Sequence, residues 1–296
     1  MAAAVARLLT VGVKQTKIEA DNIFLEVPTM FKEAAQSGKK VIIGLVHLHP
    51  LLGTPYYQEG DMQRSIDKAL HDVEALLKGG ADGCLIQSVD KIYTAEDDTD
   101  YGRVAGLSII TDRARQLAGP DFFIGAQLMW NNITPSLAVC KAAGANFTRC
   151  SCLVGSSQSN YGLVNANPMK VAEYRNKIGA HDVELLSEIS GYHHTGTYDK
   201  AGLMALVSAS MNAGASAVEI MAKDEELNNR MCQDIKSVNK NIPIILGGGT
   251  DVENCARRLQ YADGALVGSC FEDGKWGGPI NWETVKAYMD NVHEAF

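Results

Sequence analysis

A (β/α)8 TIM barrel is the fold this sequence predicts, and three observations predict it. Eight short apolar runs alternate with segments of helical periodicity, and a junction of small residues recurs immediately before four of those runs. The 296 residues also divide into eight units of roughly 30 to 40, each the size of one strand and one helix. A doubly wound sheet seldom needs so many regular units. With 46% hydrophobic and 21% charged residues the chain can fill a large core, which excludes a disordered, collagenous or coiled-coil chain.

Residues 1–28 read as a short N-terminal extension and residues 29–296 as a single barrel domain. Met1 to Lys17 carries Arg7, Lys14 and Lys17 with no acidic residue, a composition faintly like an organelle-targeting segment. It lacks the long apolar centre of a secretory signal. The first run is 41–46, followed by His47-Leu48-His49. Strand alternation places Leu45, His47 and His49 on one face and the apolar Val46 and Leu48 on the helix-facing side. Met62, Ile66, Ala69, Leu70, Val73, Leu76 and Leu77 follow the spacing of one buried helical stripe, which Gly79 and Gly80 end. Gly80-Ala81-Asp82-Gly83 then leads into the second run, 84–86. The third run is 122–128. Gly144-Ala145-Asn146 opens the fourth, 147–150, and the fifth is 183–189. Leu203, Leu206, Val207 and Met211 form a further helical stripe before Gly214-Ala215-Ser216 and the sixth run, 217–221. The seventh is 242–246, and Ala262-Asp263-Gly264 leads into the eighth, 265–267.

Active sites of this fold lie at the C-terminal ends of the strands, so residues just past each run are the candidates. Gly247, Gly248, Gly249 and Thr250 follow the seventh run, and Gly268 and Ser269 the eighth. Glycines let backbone N–H groups approach an anion closely, a short following helix would aim its N-terminus there, and these two loops are the usual phosphate site of the fold. A phosphate-binding site is expected at those six residues. His47 is the expected general acid or base. Glu188, near the end of the fifth run, is either its catalytic partner or an ion-pair partner of Arg149 on the adjacent strand. His49, Gln87, Asn131, Arg149 and His193 are candidate substrate-binding groups, Gln87 and Asn131 as hydrogen-bonding partners of a polyol. Lys223 would form a Schiff base only if buried, and Asp224, Glu225 and Glu226 beside it argue for a solvated helix start.

Composition narrows the partners. Lys and Arg total 27 against 35 Asp and Glu, for a net charge of −8 with no basic run, so nucleic acid is excluded as an expected partner. No 18-residue apolar stretch exists to span a membrane, which leaves a peripheral contact through the extension or the Met30-Phe31 segment. The seven cysteines are scattered, mostly within apolar stretches, and form no CxxC pair, which points to core thiols in a reducing, cytoplasmic setting. Cys150 and Cys152 share a strand face, but two thiolates do not complete a zinc site. No metal and no cofactor are called for. A homo-oligomer is expected, since barrels of this kind often pair through outer helices.

Val46-His47-Leu48-His49-Pro50-Leu51-Leu52-Gly53-Thr54-Pro55 resembles the first-strand signature of the BtpA/SgcQ family, VHLxPLPGxP. Further matches run through Ala81-Asp82-Gly83, Phe147-Thr148-Arg149, Gly155, Gly162, Glu253-Asn254, Ala262-Asp263-Gly264, Val267-Gly268-Ser269-Cys270-Phe271 and Asp273-Gly274-Lys275-Trp276. The resemblance covers about residues 29 to 292. It implies a barrel related to the ribulose-phosphate-binding group, and a connection either with photosystem I biogenesis at membranes or with sugar metabolism. The sequence departs from the family pattern at the other side of the mouth. Gln87-Ser88 stands for Glu-Asn, Gln127 for Asn, Trp130 for Arg and Ser151 for Asn, while Asn131 is kept. The run Glu188-Ile189-Ser190-Gly191-Tyr192-His193 stands for Asp-Val-His-Val-Lys-His. The resemblance therefore implies a retained phosphate end with altered polar groups facing it.

Three functions are consistent with these residues. The first is an isomerase, epimerase or lyase acting on a small phosphorylated metabolite such as a sugar phosphate, with His47 and Glu188 exchanging protons. The second is a non-catalytic assembly or stability factor for a membrane complex. The third is a phosphometabolite sensor.

Overall fold

The computed structural model describes residues 29–191 and 198–296. Eight parallel strands close into a barrel: β1 (Val41–His47), β2 (Gly83–Gln87), β3 (Phe123–Gln127) and β4 (Phe147–Cys150), then, after a small antiparallel hairpin of β5 (Ser156–Ser159) and β6 (Gly162–Asn165), β7 (Glu184–Gly191), β8 (Ala217–Met221), β9 (Ile244–Leu246) and β10 (Gly264–Val267), with β10 pairing back onto β1. All eight expected apolar runs are barrel strands. Helix α1 (Met30–Ser37) precedes the barrel. Around it lie α2 (Asp61–Gly79), α3 (Tyr101–Ala118), α4 (Ile133–Ala143), α5 (Pro168–Lys177), α6 (Lys200–Asn212), α7 (Glu225–Val238), the single turn α8 (Cys255–Arg258) and α9 (Trp282–Ala295). Among the described residues no helix is long and apolar enough to cross a membrane.

The period-two alternation of each strand divides the apolar residues into two cores. Outward-facing Ile42, Val46, Cys84, Ile86 and Ile124 pack beneath the helices, whereas inward-facing Val41, Ile43, Leu85, Phe147, Leu186 and Leu266 fill the lower barrel. On α2, Ile66, Ala69, Val73 and Leu76 form the buried stripe as expected, but Leu77 is 38% exposed, one position beyond the stripe's edge. All seven cysteines are free thiols, and burial pushes those of Cys84, Cys140 and Cys232 up to about 12.

The recurring junction turns out to stitch strands together. Gly80 ends α2 at φ 85°, a backbone conformation that costs glycine little. The N–H groups of Asp82, Asn146, Ser216 and Asp263 then donate to the carbonyls of Ile42, Ile124, Leu185 and Ile244 at 2.9, 2.7, 2.8 and 2.8 Å. At three of the four junctions the side chain accepts in return: Asp82 from the Ile42 N–H, Asn146 from that of Ile124 and Asp263 from that of Ile244. Each such Asx side chain thus satisfies an N–H at the start of the preceding strand.

The floor of the barrel corrects one expectation. Met30 and Phe31 are only 4% and 0% exposed, and with Ala34 they belong to the inner core. Phe31 meets Phe147 edge-on with ring centroids 5.5 Å apart. The apolar side chains at the open bottom need a cover, and α1 supplies it, so this segment offers no membrane contact.

The α1 cap also brings a carboxylate into apolar surroundings. The Met30 N–H donates to Glu184 Oε1 at 2.8 Å, and burial pushes the Glu184 carboxyl up to about 7 from an ordinary value of 4.5. The folded protein therefore holds a proton here that the unfolded chain has already released. This contribution to stability is complete below pH 4.5, declines as pH rises and is absent above about 7. Glu184→Gln keeps an acceptor for Met30 without the charge. The stability advantage of wild type over the variant is expected to fall by about 3 kcal/mol between pH 4.5 and 8, read by urea unfolding. A difference that stays flat across that range would contradict the assignment.

Candidate active site

Above the apolar layers, six strands turn a polar side chain inward near their C-terminal ends: His47, Gln87, Gln127, Arg149, Glu188 and Glu219. The other two strands, β9 and β10, are followed by Gly247 and Gly268 instead. Over this layer opens a cavity of about 780 Å³, lined among others by His47, Gln87, Arg149, the Gly247–Thr250 loop, Gly268 and Ser269.

His47 is held by a carboxylate that spacing alone does not single out. Its Nδ1 lies 2.8 Å from Glu272 Oε1, both side chains are buried, and Glu272 Oε2 accepts the Gly277 N–H at 3.1 Å. A carboxylate only accepts, so Nδ1 carries the proton shared with Glu272, and the tautomer this selects has Nε2 as its acceptor. The Trp276 ring lies 5.1 Å from the imidazole and is 62% exposed, roofing it from the solvent side. A Cβ added at Gly268 would lie 3.3 Å from His47 Cε1, so the glycine loop and the imidazole edge are immediate neighbours.

Arg149 stands on the cavity floor between two fully buried carboxylates. Its Nε and Nη2 reach Glu219 at 2.7 and 2.6 Å, and Nη2 also reaches Glu188 at 2.8 Å. Glu188 therefore makes the ion pair that was one of its two expected roles, behind the arginine rather than on the cavity wall. Glu219 accounts for Gly247: any Cβ at that position would fall 1.9 Å from Glu219 Oε1. The signal for Glu219 was a lone carboxylate within an otherwise apolar run.

The loops after β9 and β10 are rich in unused donors. Among the described residues, the backbone N–H groups of Gly248, Gly249, Thr250, Gly268 and Ser269 donate to no other group. Gly248 and Gly249 adopt φ of 152° and 77°, conformations that glycine takes readily. The short helix expected behind them is the single turn α8, which begins only at Cys255. Asp251 occupies the place instead, its Oδ1 accepting the Glu253 and Asn254 N–H groups at 2.9 and 2.8 Å.

The remaining candidates are distributed differently. Gln87 lines the cavity and donates to Gln127 at 2.5 Å. Asn131 exchanges both amide bonds with the Cys152 backbone, at 3.2 and 2.8 Å, and so anchors a loop. His49 lies past the end of β1, where strand alternation no longer applies. Its N–H donates to Ser65 Oγ at 3.1 Å. Burial disfavours the Asp61 charge, but the Gln58 N–H, Arg64 and His49 outweigh it and hold that carboxyl below its usual range. Lys223 precedes α7, whose cap is Asp224, and borders a second hollow that Ser190, Gly191 and Ala222 also line. His193 lies outside the described residues, as does the 1–28 extension.

The model of the BtpA family matches residues 38–294. The chain belongs to the BtpA family. Its similarity to the photosystem I biogenesis protein BtpA of Synechocystis is 25% identity, covering 86% of this chain and 88% of that protein. An uncharacterised protein of Archaeoglobus fulgidus is 27% identical, over 84% of this chain and 96% of its own. Among solved structures, thiamine phosphate pyrophosphorylase of Pyrococcus furiosus superposes with a TM-score of 0.54 at 12% identity, covering 90% of this chain and 98% of the other. At that identity the likeness is one of fold, and it agrees with the closed eight-strand barrel of this BtpA-family chain.

Proposed function

We propose that this BtpA-family barrel binds a small phosphorylated metabolite, a sugar phosphate in the first instance, and moves a proton at a carbon next to a carbonyl. The observation that carries the reading is the array of unused N–H groups on the two glycine loops, sharing one cavity with the His47–Glu272 pair. Backbone donors meet a phosphate without the help of a net positive chain. His47 Nε2 takes the proton and returns it, Glu272 keeps the ring in the tautomer that can accept, and Arg149 is fixed by Glu188 and Glu219 under the reacting end. The phosphate, bound beside the imidazole, holds the reacting carbon in reach, which is how remote binding raises rate. Isomerase, epimerase and lyase chemistry share these roles.

Thermal unfolding against phosphorylated sugars and inorganic phosphate tests the site. A ligand at about 100 times its Kd adds roughly 2.7 kcal/mol, a shift of several degrees for a chain of this size. Gly268→Asp puts a side chain and a negative charge against His47 and is expected to abolish the shift. If no phosphorylated compound shifts the wild type, the assembly-factor reading comes forward. The name of the Synechocystis relative supports that alternative, and co-sedimentation with membranes at moderate salt is its test.

A further inference from the structure

The wall of the cavity facing the glycine loops is aromatic. Tyr93, Trp130 and Tyr161 come from three separate segments: the loop after β2, the loop after β3 and the β5–β6 hairpin. Their ring centroids are mutually 5.1 to 6.0 Å apart, and all three line the cavity. In the closed barrel order, β3 lies four strands from β9 and β4 four from β10, so Trp130 and Tyr161 stand across the mouth from the glycine loops, with Tyr93 on the flank at β2. The aromatic wall and the glycine loops thus stand at opposite ends of one space.

The wall presents ring surface more than polar groups. The Tyr161 hydroxyl donates to the Lys91 carbonyl at 3.2 Å, and the Tyr93 hydroxyl accepts the Asp90 N–H at 3.1 Å. Both hydroxyls are thereby turned to main chain, yet the three side chains remain only half-buried. The wall is also braced. Arg103 pairs with Asp90 at 2.7 Å and donates to the Met129 carbonyl at 2.5 Å and to Asn132 at 2.8 Å, while Ser151 Oγ donates to the Trp130 carbonyl at 3.0 Å. One buried guanidinium therefore ties the loops that carry Tyr93 and Trp130. Three aromatic rings held in place with surface uncovered gain most from a flat apolar face laid against them. The cavity, at about 780 Å³, is in the upper part of the range for small-molecule sites and leaves room for such a group beyond a phosphorylated sugar.

Resting on the phosphate reading above, we infer that the ligand of this site is a phosphorylated compound carrying a flat conjugated ring, with the phosphate on the β9 and β10 loops and the ring against Tyr93, Trp130 and Tyr161. A nucleoside monophosphate has this layout, and AMP and UMP serve as probes of the class. Trp130, where the family pattern has arginine, is the specificity-determining residue on this view.

Isothermal titration with AMP, UMP, ribose 5-phosphate and adenosine separates the two halves of the site. At least one nucleotide is expected to bind about tenfold or more tightly than ribose 5-phosphate, the scale of a base stacked on an aromatic side chain. Trp130→Leu and Tyr161→Leu, which keep apolar volume without the ring, are expected to bring that ratio to within about threefold and leave ribose 5-phosphate binding as it was. Ribose 5-phosphate binding as tightly as both nucleotides overturns the ring assignment and leaves the phosphate site standing. Equal weakening of ribose 5-phosphate and nucleotides by both substitutions also overturns it. Adenosine binding as tightly as AMP overturns the phosphate reading while the ring site stands, and no binding by any of the four probes overturns both.

Discussion

Replacing Arg149 by methionine is expected to lower the unfolding free energy by about 3 to 5 kcal/mol, the usual cost of leaving a buried charge without its partner. The guanidinium bridges Glu188 and Glu219, and all three side chains are buried. Its removal leaves two buried carboxylates without their cation, and mutual repulsion adds to their desolvation. The loss is not a matter of lost volume, because methionine fills much of the same channel. A triple variant, Arg149→Met with Glu188→Gln and Glu219→Gln, removes the charges together and is expected to recover most of the loss. Urea unfolding of the single and triple variants at neutral pH decides the point. Equal destabilisation in both would show that packing, not charge, dominates.

The second large effect is on turnover. His47→Ala is expected to cut kcat by about 10²- to 10⁴-fold on whichever phosphorylated substrate the unfolding screen identifies, the range for loss of a general acid or base. The phosphate-dependent thermal shift should survive, since the N–H donors of the glycine loops are untouched. Because alanine also leaves Glu272 without its partner, His47→Gln serves as a control for folding. Glu272→Gln probes the same machinery from behind. An amide offers an N–H to Nδ1, which favours the tautomer with its proton on Nε2, and turnover is expected to fall at least about a hundredfold with little change in phosphate binding. A sensor or assembly factor would show no turnover to lose, so the wild-type assay divides those readings before any variant is made.

Much of this molecule was legible along the chain. The small-residue junctions and the apolar runs mark all eight barrel strands, since a strand and its capping turn are set by residues within a few positions of each other. The hairpin of Ser156–Ser159 with Gly162–Asn165 escaped that reading because its strands are short, polar and largely outside the core. Within the site, His47 was found by alternation along β1, and Gly247–Thr250 with Gly268 by their places after the last two strands. Alternation does not extend to His49, because β1 ends at His47, and the helix expected behind Thr250 shrank to one turn.

The fold, the face on which His47 lies and the two glycine loops are readable along the chain, because each depends on local periodicity, turn chemistry and strand order. The side-chain partners, by contrast, are fixed by the closed barrel. Glu272 meets His47 across 225 positions, and Glu219 meets Arg149 across 70, because the last strand closes on the first and β7 brings its neighbours within reach. The aromatic wall likewise exists only where three loops converge. Such contacts leave no periodic trace in a chain: they arise from closing the barrel, which brings together side chains whose separation along the sequence says nothing about their separation in space.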